Sequence, residues 1–165
     1  MISRPILLVM TIFLGILPGC ERKVATNPSG TAVERRAPDI VLISLDTLRA
    51  DRLGCYGYDL PTSPFMDALS RRSIQLTDVL AQNPATILSH RAIFTGLYVY
   101  QQPVGPAPAE ITLAGRLSAA GYETAAFTDG GLMHARFGND PGFGVYNHEG
   151  GGAEAVFGRG LDWLD

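Results

Sequence analysis

The sequence has too few cysteines for a disulfide framework and too little basic charge to hold a nucleic acid. Its 165 residues carry 13 Lys and Arg against 16 Asp and Glu, a formal net charge of −3. Lys23 is the single lysine and the arginines are scattered, so no basic stripe exists and binding to nucleic-acid phosphates is excluded. Cys20 and Cys55 are the two cysteines, and the sequence leaves open whether a disulfide joins them. With 46% apolar residues the chain is too hydrophobic to be disordered, and its length allows one domain at most.

The N-terminus has the pattern of an export signal. Arg4 precedes an apolar stretch at 6–17, which has the length of a secretory signal and is too short for a stable transmembrane helix. Gly19 and Cys20 then resemble the cleavage site of a bacterial lipoprotein, in which the cysteine is acylated. We therefore expect residues 1–20 to be a lipoprotein-type signal peptide that leaves an exported protein anchored by lipid at Cys20. The protein would face the periplasm or the outer surface of a bacterial membrane, and an uncleaved N-terminal anchor is the alternative.

The rest of the chain begins with a polar tether at residues 21–38 and then alternates strand-like and helix-like segments. Apolar runs and alternating patterns predict strands, whereas apolar faces bounded by caps predict helices. The predicted strands are 39–45, 74–80 and 122–128, and the predicted helices begin at Ser63-Pro64 or span 86–95, 113–120 and 154–164. This order predicts one α/β domain over 39–165, a layered and mostly parallel sheet with helices on both faces.

Four segments of this domain together resemble the sulfatase family of alkaline-phosphatase-like hydrolases. They are Pro38–Gly57, Pro61–Pro64, Thr86–Tyr98 and Gly121–Ala125, in the order and at the spacing of that family. The resemblance implies an alkaline-phosphatase-like fold and the metal-dependent hydrolysis of a small anionic ester, either a sulfate or a phosphate. It also implies a divalent metal as cofactor, Ca²⁺ by family, with Mg²⁺, Mn²⁺ or Zn²⁺ as alternatives.

The resemblance locates the metal where the first predicted strand ends. Asp46 matches the first residue of the family's acidic pair, while the second position is Thr47, an uncharged hydroxyl. Oxygen ligands of this kind suit a hard divalent cation, although a simple turn at the strand end is the alternative for Asp46. Arg49, just beyond, is a weaker candidate for contacting the ester, with an ion pair to Asp51 as the plainer interpretation.

Counting back from Thr95-Gly96 puts Thr86 at the family's nucleophile position. Well-known members carry Cys or Ser there, within Cys-x-Pro-x-Arg, and oxidise it to formylglycine. Here Leu88 and His90 replace the proline and the arginine, and oxidation of a threonine would give a ketone. Thr86 is therefore expected to act directly, as nucleophile and metal ligand at a helix N-terminus. His90, one turn further on the same face, is the second catalytic candidate, and a helix histidine bonded to a carbonyl is the alternative.

The identity of the nucleophile bears on the substrate. A sulfo-threonine has no elimination route that would release sulfate, whereas a phospho-threonine can be hydrolysed, so Thr86 favours phosphate.

The chain ends within an amphipathic pattern, Leu161–Asp165, that lacks a Gly or Pro stop signal. The resemblance also implies a second pair of metal ligands from beyond the matched segments. We therefore expect a domain that is incomplete at its C-terminus and inactive alone. A non-catalytic exported lipoprotein module that binds an anion or a partner is the alternative function.

Overall fold

The computed structural model describes residues 37–165. The predicted signal peptide, Cys20 and the tether up to residue 36 lie outside the described residues. The helices are α1 Pro64–Ser70, α2 Thr86–Thr95, α3 Leu113–Ala119 and α4 Gly152–Leu164, and the strands are β1 Ala125–Phe127 and β2 Val145–Asn147. Short 3₁₀ turns occupy much of the chain between these elements.

The two strands form a small parallel sheet, in which Ala126 of β1 is paired with Tyr146 of β2. Helix α4 covers this sheet, with the ring of Trp163 centred 6.3 Å from that of Phe127. Gly160 of α4 also lies against the Phe127 ring, and a Cβ there would make an ordinary contact at 3.6 Å. The part of the chain that the structure describes is thus of the α/β class.

The prediction of a first strand at residues 39–45 is wrong. Only Val41 makes an isolated bridge, and the rest of the segment is irregular. Ile43 and Leu45 are 52% and 48% exposed. Its apolar run suits a strand covered on both faces, but a strand also needs a neighbour for its backbone N–H and C=O groups. No strand between residues 37 and 165 pairs along this segment.

The other strand predictions also need correction. Residues 74–80 are irregular, and Ile74, Val79 and Leu80 are exposed, so the alternating pattern finds no apolar surface to cover. The strand predicted at 122–128 exists but is limited to β1. Strand β2 was not predicted, because three residues are too few to give a periodic signal.

The helix predictions are confirmed, with shifts of one or two residues. Helix α2 has its predicted bounds, α3 ends one residue early, and α4 begins two residues early. Gly96 and Gly121, with φ of +70° and +93°, follow α2 and α3 as expected of glycine stop signals. Helix α1 begins at Pro64 as predicted, but Ser63 does not cap it: its hydroxyl accepts from the Gly54 N–H and donates to Asp67.

The buried core is small. Its apolar members are Leu53, Ala92, Ala107 and Ala114, and no large side chain within residues 37–165 is fully buried. Contacts between α2 and α3, and between α2 and the 3₁₀ turn Gly131–Met133, nevertheless hold α2 in place. None of the helices described here is long and apolar enough to cross a bilayer.

Candidate active site

Two distant parts of the chain meet at the first turn of α2. The hydroxyl of Thr86, the first residue of the helix, donates a hydrogen bond of 3.1 Å to Oδ2 of Asp46. One turn along the helix, Nε2 of His90 lies 2.8 Å from the hydroxyl oxygen of Ser44. The structure therefore brings Asp46, Thr86 and His90 together and adds Ser44, which the sequence analysis missed.

His90 is the buried member of this group, with 7% of its surface exposed. Its Nδ1 lies 2.9 Å from the backbone oxygen of Thr86, the contact to a helix carbonyl that was the alternative for this residue. The ring of Phe94, one turn further, is centred 6.1 Å away. Both ring nitrogens of His90 are thus engaged with protein groups.

The N-terminus of α2 has free backbone donors. Ala85 precedes the helix and has no side-chain oxygen to cap it, and no side chain of the described chain takes that role. The first N–H to bond back is that of Ser89, to the oxygen of Ala85 at 3.0 Å. The N–H groups of residues 86–88 therefore have no partner within the helix and lie at the positive end of its dipole, an arrangement that suits an anion.

Asp46 is exposed, and Thr47 beside it has an unusual backbone. Thr47 has φ of +59°, and it is the one non-glycine residue of the described segment in the left-handed region. That conformation is unfavourable for a β-branched residue and easier for Asp or Asn. Within residues 37–165 the Thr47 hydroxyl has no hydrogen-bond partner, so the turn that carries Asp46 is not stabilised by its neighbour.

Arg49 is engaged with another residue. Its Nε and Nη2 lie 2.8 and 2.5 Å from the two carboxylate oxygens of Asp51, and both side chains are exposed. This hydrogen-bonded pair raises the pKa of Arg49 and lowers that of Asp51. The ion pair considered from the sequence is present, and Arg49 would have to exchange it to contact an ester.

The oxygen atoms at the site are of the type that a hard divalent cation binds, but they are too few. Asp46 supplies a carboxylate and Thr86 a hydroxyl, and such cations take six to eight oxygens, several of them charged. No three His, Cys, Asp or Glu side chains of the described residues lie together as a metal site. These residues can therefore contribute to a metal site but do not complete one.

Comparison with known proteins gives the class. The sulfatase family model matches residues 38–160, and the chain belongs to the sulfatase family, whose members generally depend on a divalent metal. The resemblance recognised in the sequence is thereby confirmed. No solved structure matches the chain.

Individual relatives are similar over a limited part of their length. Steryl-sulfatase of Mus musculus is 31% identical over 118 residues, which cover 62% of this chain and 19% of that protein. N-acetylgalactosamine-6-O-sulfatase of Bacteroides thetaiotaomicron is 28% identical over 121 residues, 67% of this chain and 23% of that protein. Arylsulfatase A of Homo sapiens is 34% identical over 107 residues, which cover 58% of this chain and 21% of that protein. The chain spans about a fifth of the length of these relatives.

Proposed function

We propose that the protein acts in the hydrolysis of a small anionic ester, with Thr86 as the attacking group. The observation that supports this most strongly is the hydrogen bond from the Thr86 hydroxyl to Asp46, at a helix N-terminus with free backbone N–H groups. Membership of the sulfatase family and the sulfatase names of the relatives support an ester of an oxyanion as substrate.

The arrangement suits attack by Thr86. The hydroxyl hydrogen is directed at the Asp46 carboxylate, which is therefore the group in position to accept that proton. The Thr86 oxygen then forms a bond to the central atom of the ester, and the bond to the leaving alcohol oxygen breaks as that oxygen takes a proton from solvent water. The N–H groups of residues 86–88 stabilise the negative oxygens, and water later cleaves the Thr86 ester. This last step is open to phospho-threonine, which favours a phosphate ester.

The proposal includes a divalent metal, Ca²⁺ by family membership, with Mg²⁺, Mn²⁺ or Zn²⁺ as alternatives. When bound, such a cation offsets charge on the ester and lowers the pKa of a bound hydroxyl. Asp46 and Thr86 would hold it, with Thr47 as a neutral third ligand. Since these are only one carboxylate and two hydroxyls, we also propose that the 165-residue chain alone binds metal weakly and is inactive.

The remaining expectations stay part of the proposal. We propose that residues 39–165 are the N-terminal part of one alkaline-phosphatase-like α/β domain. We also propose a signal peptide at residues 1–20, lipid attachment at Cys20, a tether at 21–38, and a place on the periplasmic or outer side of a bacterial membrane.

An assay with two substrates tests the function. Aryl phosphodiester and aryl sulfate are offered to the 165-residue chain and to a longer version that supplies the rest of a sulfatase domain, with each metal in turn. We expect turnover only in the longer protein, faster on the phosphodiester. Faster turnover of the sulfate would contradict the role given to Thr86, and failure on both esters with every metal would favour the non-catalytic module.

A further inference from the structure

We infer that Ser44 is a positioning residue of this site, which fixes the ring of His90 and thereby the distance between Asp46 and Thr86. The inference rests on the proposed function, because the distance between Asp46 and Thr86 affects catalysis only if Thr86 attacks the ester. The hydrogen bonds on which it depends can be tested without catalysis.

The contacts of His90 determine where its hydrogen lies. The backbone oxygen of Thr86 can only accept, so Nδ1, 2.9 Å away, carries the hydrogen and donates it. In the neutral ring Nε2 is then an acceptor, and Ser44, 2.8 Å away, is the donor. Free histidine favours the opposite form, with hydrogen on Nε2. The structure therefore assigns to His90 a tautomer that its two partners impose.

This arrangement leaves His90 without a nitrogen for the Thr86 hydroxyl. Nδ1 faces the backbone oxygen of Thr86, while the hydroxyl of that residue points to Asp46. Proton transfer to the imidazole would require one of its two bonds to break. The role of His90 in the site is therefore to hold Ser44 and the first turn of α2 together.

The hydrogen bond between Ser44 and His90 also affects the position of Asp46. Ser44 and Asp46 are two residues apart, and both contact α2, Ser44 through His90 and Asp46 through Thr86. Thr86 and His90 are four apart in α2 and share a helix face. Two hydrogen bonds, Ser44 to His90 and Thr86 to Asp46, thus join the two segments side by side. Because the segment 39–45 is not held in a sheet, these bonds set the position of the Asp46 carboxylate.

Nitrogen-15 NMR of the histidine rings tests the inference. The chain has three histidines, and the His90 signals are those that disappear in His90→Asn. Spectra are recorded at about pH 8, and the two nitrogen shifts of a neutral ring report its tautomer directly. In the parent chain we expect the Nδ1–H form to predominate. In Ser44→Ala the ratio of the two forms should fall about fivefold, the factor that one net hydrogen bond contributes.

Two further variants separate positioning from a general loss of structure. Ser44→Thr keeps the hydroxyl and should restore the parent spectrum, and Ser89→Ala, which removes a neighbouring hydroxyl of α2, should not change it. A predominant Nε2–H form in the parent chain, or an unchanged spectrum in Ser44→Ala, would overturn the inference. Failure of ester hydrolysis would leave these spectra as they are, so the two proposals fail separately.

Discussion

The hydroxyl of Thr86 lies 3.1 Å from Oδ2 of Asp46, and 40 positions of chain separate the two residues. One of them begins a helix, and the other follows an apolar segment that is not in a sheet. Their contact joins the residue that we propose as nucleophile to the residue that we propose as metal ligand. The first two predictions and the last measurement test whether this contact belongs to a site that binds a metal and hydrolyses an ester.

The first prediction concerns metal binding by the 165-residue chain. No three His, Cys, Asp or Glu side chains of the described residues lie together around Asp46, so we expect a Kd for Ca²⁺ of about 1 mM or weaker. Calorimetric titration of the parent and of Asp46→Ala checks this, and the variant should lose the remaining heat. Micromolar affinity together with ester turnover that disappears in Asp46→Ala would show that the chain holds a complete site.

The second prediction concerns Thr47. Its φ of +59° is easier for Asp than for Thr, and Asp would add the charge that the site lacks. We expect Thr47→Asp to bind Ca²⁺ on the order of tenfold more tightly. Thr47→Asn is the matched control, since it relieves the backbone without adding charge. Equal affinities for the Asp and Asn variants would mean that Thr47 does not stand at a ligand position.

The third prediction concerns the contact between His134 and His148, whose ring centroids are 3.8 Å apart. Burial, then the charges of His148 and Arg136, lower the pKa of His134. The unfolded chain, with a histidine pKa of about 6.5, therefore takes up this proton more readily than the folded chain. The contribution to stability is present above about pH 6.5 and is lost as the pH falls from that value through the lower pKa of the folded chain.

Denaturant unfolding at about pH 7.5 and pH 5.5 measures this effect. We expect the parent to lose more stability on acidification than His134→Asn, whose side-chain oxygen can still accept from the Arg136 N–H, the bond of 3.0 Å that His134 makes. The same loss in both proteins would contradict the prediction.

The fourth prediction concerns the N-terminus. If Cys20 is acylated after cleavage, Cys20→Ser should release soluble protein or block processing. Membrane fractionation and the mobility of the mature chain on a gel give the answer. A serine variant that fractionates and migrates like the parent would rule out the lipoprotein hypothesis.

The helices could be predicted from the sequence because their signals are local. Helix α2 has its apolar residues and its stop signal, Gly96, within a dozen positions, and it begins at Thr86 as predicted. The strands could not be predicted as well, because a strand depends on a distant neighbour. The segment 39–45 has the composition of a buried strand, yet no described strand pairs along it.

The candidate site could be predicted in part, since the structure brings together three of the residues that the resemblance singles out. Asp46, Thr86 and His90 are recognisable from a motif, whereas Ser44 lies inside an apolar run and has no motif of its own. Its only signal in the sequence is a hydroxyl inside that run, two positions before Asp46. The partner of Ser44 is 46 positions away, and only the fold brings the two together.

The central claim is that Thr86 attacks the ester, and Ser89 is the rival hydroxyl on the same helix. The most direct measurement is kcat for aryl phosphodiester hydrolysis by Thr86→Ala and Ser89→Ala in the longer protein, at saturating metal. We predict a fall of at least about a thousandfold for Thr86→Ala with metal still bound, and a near-parental rate for Ser89→Ala. A near-parental rate for Thr86→Ala, with Ser89→Ala inactive, would contradict the account.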